Sequence, residues 1–349
     1  MTMRVNEPVS SIRAHGLGII EVMIALALGA IILLGVTEIA SRNSITRNEV
    51  ESTGRQIESA IYALRTIESD LTSAGFWGET GEQSAGGTLP PACVGTDPDG
   101  LTEMTEALGY PVQGEDDLGG TPPCITSLKA NTDFIAIRRV SSCALGPAEC
   151  GSADDNYHLQ ANACFVLDDD TKPLPGEVSI AVDPNDLDYT QYNCTDSAPV
   201  YRFLSRIYYV SEYDEDGDGV VDHVLRRAEL QGSEGSAAYE ITGLVEGVEL
   251  LKFVYGIDSD GDGMVDVEKP NPSDPSGPSG IEWSDVVMVR IHMVVRNLEP
   301  SPGYLDDRDY KVGGADYDAT DFDAFKNHKR QLYTRTVSLR NVAGRREQQ

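Results

Sequence analysis

From Leu17 to Ala40 the chain runs for 24 residues, and only Glu21 and Glu38 among them are charged. No other feature restricts the fold as much. At about 1.5 Å per residue, a helix of this length reaches about 36 Å, enough to cross a bilayer with some tilt. A short leader bearing Arg4 and Arg13 precedes the run. The positive-inside rule puts that leader in the cytoplasm and the remainder outside. Arg42 and Arg47 follow the run and weaken the asymmetry, but no long cytoplasmic loop competes. A carboxylate inside an apolar span costs about 2.5–3.5 kcal/mol on insertion scales, so Glu21 is a functional-site candidate in need of a partner. The bland alternative is an acid snorkelling near the helix end.

The helical pattern continues beyond the span. Ile57, Ile61, Leu64 and Leu71 recur with polar residues between them, and no proline occurs before Pro90. This spacing predicts one helix from about Leu17 to Ser73, ended by Gly75, with its second half laying one apolar stripe on a sheet. Residues 76–131 are rich in Gly, Pro, Asp and Thr, and read as a long irregular excursion held by Cys93 and Cys124. Strand patterns follow at 133–140, 163–167, 201–210, 222–230, 248–255, 286–296 and 330–340. Several alternate polar with apolar, as a sheet with one buried face requires. The fold class expected is α+β, a long helix packed on an antiparallel sheet with disulfide-bearing loops. The expected divisions are residues 1–16, 17–40, 41–75 and 76–349: leader, span, amphipathic continuation and globular head.

A formal net charge of −30 sets the partners. Such a surface repels phosphate backbones, so direct nucleic-acid binding is not expected. The six cysteines, Cys93, Cys124, Cys143, Cys150, Cys164 and Cys194, lie downstream of an export segment and form no CxxC pair. An even number in that setting reads as up to three disulfides in an oxidising compartment. Sequence cannot choose among the pairings, and Cys143–Cys150 and Cys164–Cys194 stand only as plausible local pairs.

One local motif occurs twice. Asp214 to Asp222 and Asp258 to Asp266 both fit D-x-D-G-D-G-x-x-D, with starts 44 residues apart, and each follows an aromatic, β-branched strand. This is the chemistry of a Ca²⁺ loop. In the first copy Asp214, Asp216 and Asp218 would converge on one cation, with the carbonyl of Val220 and the acid Asp222 completing the cage. The second copy offers Asp258, Asp260, Asp262, the carbonyl of Met264 and Asp266. An EF-hand would place a bidentate Glu at position 12, where this chain has Leu225 and Lys269, so affinity should be weak and the role structural. The competing reading is a pair of acidic hairpin turns, because Asp-Gly is itself a strong turn signal. Enzyme signatures are missing: the five histidines form no metal motif, and neither a nucleophile elbow nor a phosphate loop is present. His292 reads as a sheet-face residue. Arg330, Arg335, Arg340, Arg345 and Arg346 read as strand-edge and tail charges, with an acidic partner subunit as the weaker alternative.

Gly16, the apolar run and Glu21 five residues on, behind a basic leader, together resemble a type IV prepilin. The resemblance implies cleavage between Gly16 and Leu17 by a prepilin peptidase, and N-methylation of Leu17. It also implies that Glu21 docks on a neighbouring subunit's α-amino group inside a filament. Prepilins usually carry Phe or Met where this chain has Leu17. A Sec signal would instead show a shorter apolar core followed by a small-residue cleavage site. The C-terminal half resembles the PilW family of minor pilins. The resemblance rests on Tyr208-Tyr-Val210, Leu225-Arg-Arg227, Gly247 to Gly263, Val286 to Ile291 and Tyr333 to Asn341. It implies a non-enzymatic structural subunit with a type IV pilin-like fold. Such a subunit waits as a single-pass inner-membrane protein, N-terminus inside. It then joins other minor pilins and the major pilin in a pilus, at its tip, supporting adhesion, twitching motility or DNA uptake. A minor pseudopilin of type II secretion, or a membrane-anchored periplasmic adhesin or enzyme, would share parts of this pattern.

Overall fold

The structure is a computed structural model that describes residues 18–81, 83, 85, 89–95, 100–115, 121–146, 150, 154, 156–165, 174–214, 221–232, 238–272, 283–318, 321–322 and 325–346. The chain divides into two units, residues 1–52 and 53–349. Helix α1 (Ile19–Ser73) begins in the first and ends in the second. In the first unit the large apolar side chains from Ile19 to Ile39 are exposed, as befits a helix whose cover is lipid or another subunit.

In the second unit α1 presents one stripe. Ala60, Ala63, Ile67 and Leu71 are fully buried and Leu64 nearly so. Ile57 and Ile61, expected in the stripe, are instead exposed by 38% and 41%. The alanines explain the change of face: small side chains let the helix backbone come close to the sheet, and Ile67 and Leu71 then fill the space. Each such large side chain contributes about 1.5–3 kcal/mol on full burial. The helix stops where Gly75 takes φ +72°; a Cβ there would meet Pro111 at 3.1 Å.

Between α1 and the first long strand lie helix α2 (Gly100–Glu106) and strand β1 (Val112–Glu115), so the stretch read as irregular carries ordered elements. Next come β2 (Phe134–Ala144), β3 (His158–Ala161), β4 (Val178–Ala181), β5 (Val200–Tyr213), β6 (Asp222–Gln231) and β7 (Ala238–Glu246). With β1 these form a seven-stranded antiparallel sheet in which β5 pairs with β2, β3 and β6, and β7 pairs with β6. The strand expected at 163–167 is displaced: β3 ends at Ala161. Asn162 breaks it, its amide donating to the carbonyls of Cys164 and Leu174 at 3.1 and 3.2 Å. Residues 166 and 167 lie outside the described residues.

A second antiparallel sheet follows. It contains β8 (Val248–Ile257), β9 (Val267–Lys269) and β10 (Val286–Arg296). A small hairpin, β11 (Tyr310–Val312) with β12 (Ala315–Tyr317), precedes the last strand, β13 (Arg330–Ser338). The order is β13-β10-β8-β9, and helix α3 (Arg340–Arg346) closes the described chain. Sequence reading expected one sheet and ran the last strand to Arg340; the chain instead turns into α3 there. The two sheets and α1 share one core, with Tyr208, Val210, Leu225, Leu251, Phe253, Val289 and Ile291 packed beneath Ile67 and Leu71.

Polar ties hold the layers in register. Asp133 bridges the sheets: its N–H donates to Leu251 O at 2.8 Å, and its carboxylate accepts from Phe253 N–H at 2.9 Å and Lys252 Nζ at 2.7 Å. Arg138 is fully buried and donates to Tyr110 O at 2.9 Å, Pro91 O at 3.1 Å and Gln113 Oε1 at 2.8 Å. It thereby clamps the excursion before β1, and burial pushes its guanidinium down to about 10. Three disulfides, Cys93–Cys124, Cys143–Cys150 and Cys164–Cys194, close the long loops. The two that span 31 and 30 residues each stabilise by about 3–4 kcal/mol on the chain-entropy account.

Candidate cation loop and the charged nodes of the head

Both acidic segments sit at hairpin connections. Tyr213 pairs with Asp222 across β5 and β6, and Ile257 pairs with Val267 across β8 and β9. Of the first segment, Asp214 and Asp222 are described, whereas Asp216, Asp218 and Val220 lie outside the described residues. Asp222 receives Arg296 Nη2 at 3.3 Å.

The second segment is described in full. Asp258 is buried and turns its carboxylate into the loop, where Oδ1 accepts Gly261 N–H at 2.7 Å and Oδ2 accepts Gly263 N–H at 2.9 Å. Those glycines adopt φ +83° and +84°, a region closed to most side chains, and this lets the chain wrap around the acid. Asp262 Oδ1 accepts Met264 N–H at 2.8 Å. Carboxylate oxygens of Asp258, Asp260 and Asp262 come within 4.8 Å of one another, a hard all-oxygen donor set. Asp266 turns aside and accepts from Ser259 N–H at 2.9 Å and Ser259 Oγ at 2.7 Å, so its side chain ties the loop ends together. The Met264 side chain is exposed.

One neighbour of this loop was not legible. Arg346, at the end of α3, places Nη1 3.3 Å from Asp258 Oδ2 and 3.3 Å from its carbonyl, while Nη2 reaches Ser284 O and Asp285. Burial opposes ionisation of Asp258, but the two glycine N–H groups and Arg346 outweigh it and hold the carboxyl below its ordinary value. A tail arginine thus serves as a tethered counter-charge. Arg345 donates to Thr80 O at 3.3 Å, and Arg335 pairs with Glu68 of α1 at 2.5 Å.

Arg330 departs furthest from a strand-edge charge. It is buried, forks onto Glu249, and also donates to the carbonyls of Phe322, Phe325 and His328. Asp306 and Arg296 complete the node, with Arg296 stacked 3.7 Å over the Phe325 ring. A comparable node fixes α1: Asp70 accepts from Arg139 Nη2 at 2.9 Å, Arg206 Nη1 at 2.9 Å and the Tyr208 hydroxyl at 2.6 Å. His292 faces Thr334 Oγ1 at 3.1 Å on the sheet surface, in line with its reading as a sheet-face residue.

Near the N-terminus, Glu21 stands exposed in the first turn of α1, and its N–H donates to Gly18 O at 3.0 Å. Gly16 and Leu17 lie outside the described residues.

No curated protein and no solved structure matches the chain. Residues 207–341, from β5 to the first turn of α3, match the family model PilW, type IV pilus-assembly protein W, and mark the chain as type IV pilus-related.

Proposed function

We propose that this chain is a minor pilin, a non-enzymatic structural subunit that primes assembly of a type IV pilus and sits at its tip. The observation that carries the reading is the conjunction of a PilW match over residues 207–341 with an α1 whose first unit is apolar and exposed. A head with this helix has a membrane anchor before assembly and a polymerisation handle after it. Glu21 supplies the docking charge: a carboxylate in an apolar helix is stabilised only when a cationic partner meets it, and the α-amino group of a neighbouring subunit is that partner. Cleavage after Gly16 and methylation of Leu17 prepare the handle, and other minor pilins and the major pilin are the neighbours. The head then lies outside the cell.

Glu21→Val tests this. The variant inserts into the inner membrane at the wild-type level, since valine is at home in the span, but it is missing from sheared pili and piliation falls. Wild-type piliation in the variant strain would overturn the docking role.

Within the head, Ca²⁺ is the cation for the second acidic loop. Asp258, Asp260 and Asp262 would hold it, with remaining positions filled by backbone carbonyl or water oxygen. Bound there, it would neutralise the clustered acids and tie the β8–β9 connection. Extracellular loops of this type bind at about 10⁻⁴–10⁻³ M. At about 10 mM Ca²⁺ the gain is then about 1.4–2.7 kcal/mol. The melting temperature of the purified chain rises by a few degrees with Ca²⁺ and falls back with chelator, and Asp260→Asn/Asp262→Asn removes the response. A melting curve indifferent to both additions would sink the calcium assignment and leave an acidic hairpin turn.

A further inference from the structure

Strand β7 forms an outer edge of the larger sheet. It pairs with β6 along one side, and among the described residues no strand pairs with its other side. An unpaired edge offers a row of backbone N–H and C=O groups, which natural sheets shield with bulges or charge. β7 has both devices. The register shift between Leu225 and Arg226 leaves Leu244 as an extra residue, so the regular stretch is Ala238–Gly243. Glu240 and Glu246 stand exposed on the strand. Acids at this edge, on a chain of net charge −30, repel another copy of the same chain but attract a cationic strand.

Beside the bulge lies a groove of about 600 Å³, bordered by Glu58, Tyr62, Tyr213, Leu244, Glu246 and Leu298. Tyr62, Tyr213 and Leu298 are 54%, 48% and 51% exposed, so large apolar surface sits uncovered between acids.

We propose that β7 is a docking edge for an extended segment of a partner protein, one that alternates basic and apolar residues. Main-chain hydrogen bonds to Ala238–Gly243 supply the affinity. An apolar side chain in the groove and cations beside Glu240 and Glu246 supply the selectivity. The inference rests on sheet topology and charge, independently of the pilus reading.

Amide hydrogen exchange on the full chain in detergent tests it. The probe is an end-capped peptide of alternating lysine and valine, compared with the same peptide carrying a central proline and with its lysines and valines sorted into blocks. The alternating peptide slows exchange across 238–243 by about tenfold, the two controls do not, and Glu240→Lys/Glu246→Lys abolishes the slowing. Equal slowing by the block or proline peptide would reduce the effect to charge adsorption and overturn the proposal. So would protection that spares β7, or protection that survives charge reversal.

Discussion

Replacing Asp70 with alanine is expected to lower the stability of the head by about 3–5 kcal/mol, because it leaves buried cations without their counter-charge. Asp70 is 2% exposed and lies on the face of α1 that meets the larger sheet. Arg206 keeps a second carboxylate, Glu229 at 2.8 Å, but Arg139 keeps only a backbone carbonyl among its described partners. The Tyr208 hydroxyl also loses its acceptor. Burial alone would raise the Asp70 pKa, yet Arg206, Arg139 and Tyr208 outweigh burial and hold it below 3.8. A carboxyl depressed in the folded state contributes stability above its unfolded value, and that contribution is lost as pH falls through the folded value. Asp306 acts in the same direction: against burial, Arg308, Tyr310 and Arg330 bring it to about 2. The wild-type head therefore loses stability as pH falls from about 4 toward 2. Asp70→Asn flattens that slope while costing less than alanine. Urea unfolding at stepped pH reads both effects, and an Asp70→Ala midpoint equal to wild type would refute the node.

Glu249→Ala is expected to cost a similar amount, about 3–5 kcal/mol, at the opposite sheet. Glu249, Arg296 and Arg330 come from the adjacent strands β8, β10 and β13, and Arg296 lies directly opposite Arg330 in the pairing. Desolvation raises the Glu249 pKa even though Arg330, Arg296 and Lys129 pull the other way, so the charge is held at a cost. Removing it leaves Arg330 with Asp306 and Arg296 with the half-exposed Asp222. Arg330 also organises the loop before β13 through three carbonyls, so Arg330→Ala disorders that loop as well. A double-mutant cycle should return a coupling of about 1–3 kcal/mol. Strict additivity would show that the two side chains act separately.

The parts legible in the sequence were those governed by periodicity. The span, the continuous α1 and the long strands follow from apolar spacing, because helix and strand each impose one repeat on what is buried. The six cysteines pair as the local guesses and the bridged excursion anticipated, since residues seven and about thirty apart flank single loops. The nodes were not legible. Charged residues in a sequence read as surface, and nothing in Asp70, Arg138, Glu249 or Arg330 announces that a partner sixty or more residues away will bury it. The stripe on α1 misled for the opposite reason: isoleucines look like core, whereas the close approach used alanines. Arg346 looked like a tail charge because its partner, Asp258, belongs to a loop 88 residues earlier.

The central claim, that the apolar helix is a polymerisation handle, is tested most directly by intact-mass and N-terminal peptide mass spectrometry of the chain recovered from cells. The account predicts a mature chain beginning at Leu17 and carrying one methyl group on its α-amino nitrogen. A chain that retains Met1, or one cut downstream of the apolar run, would contradict it.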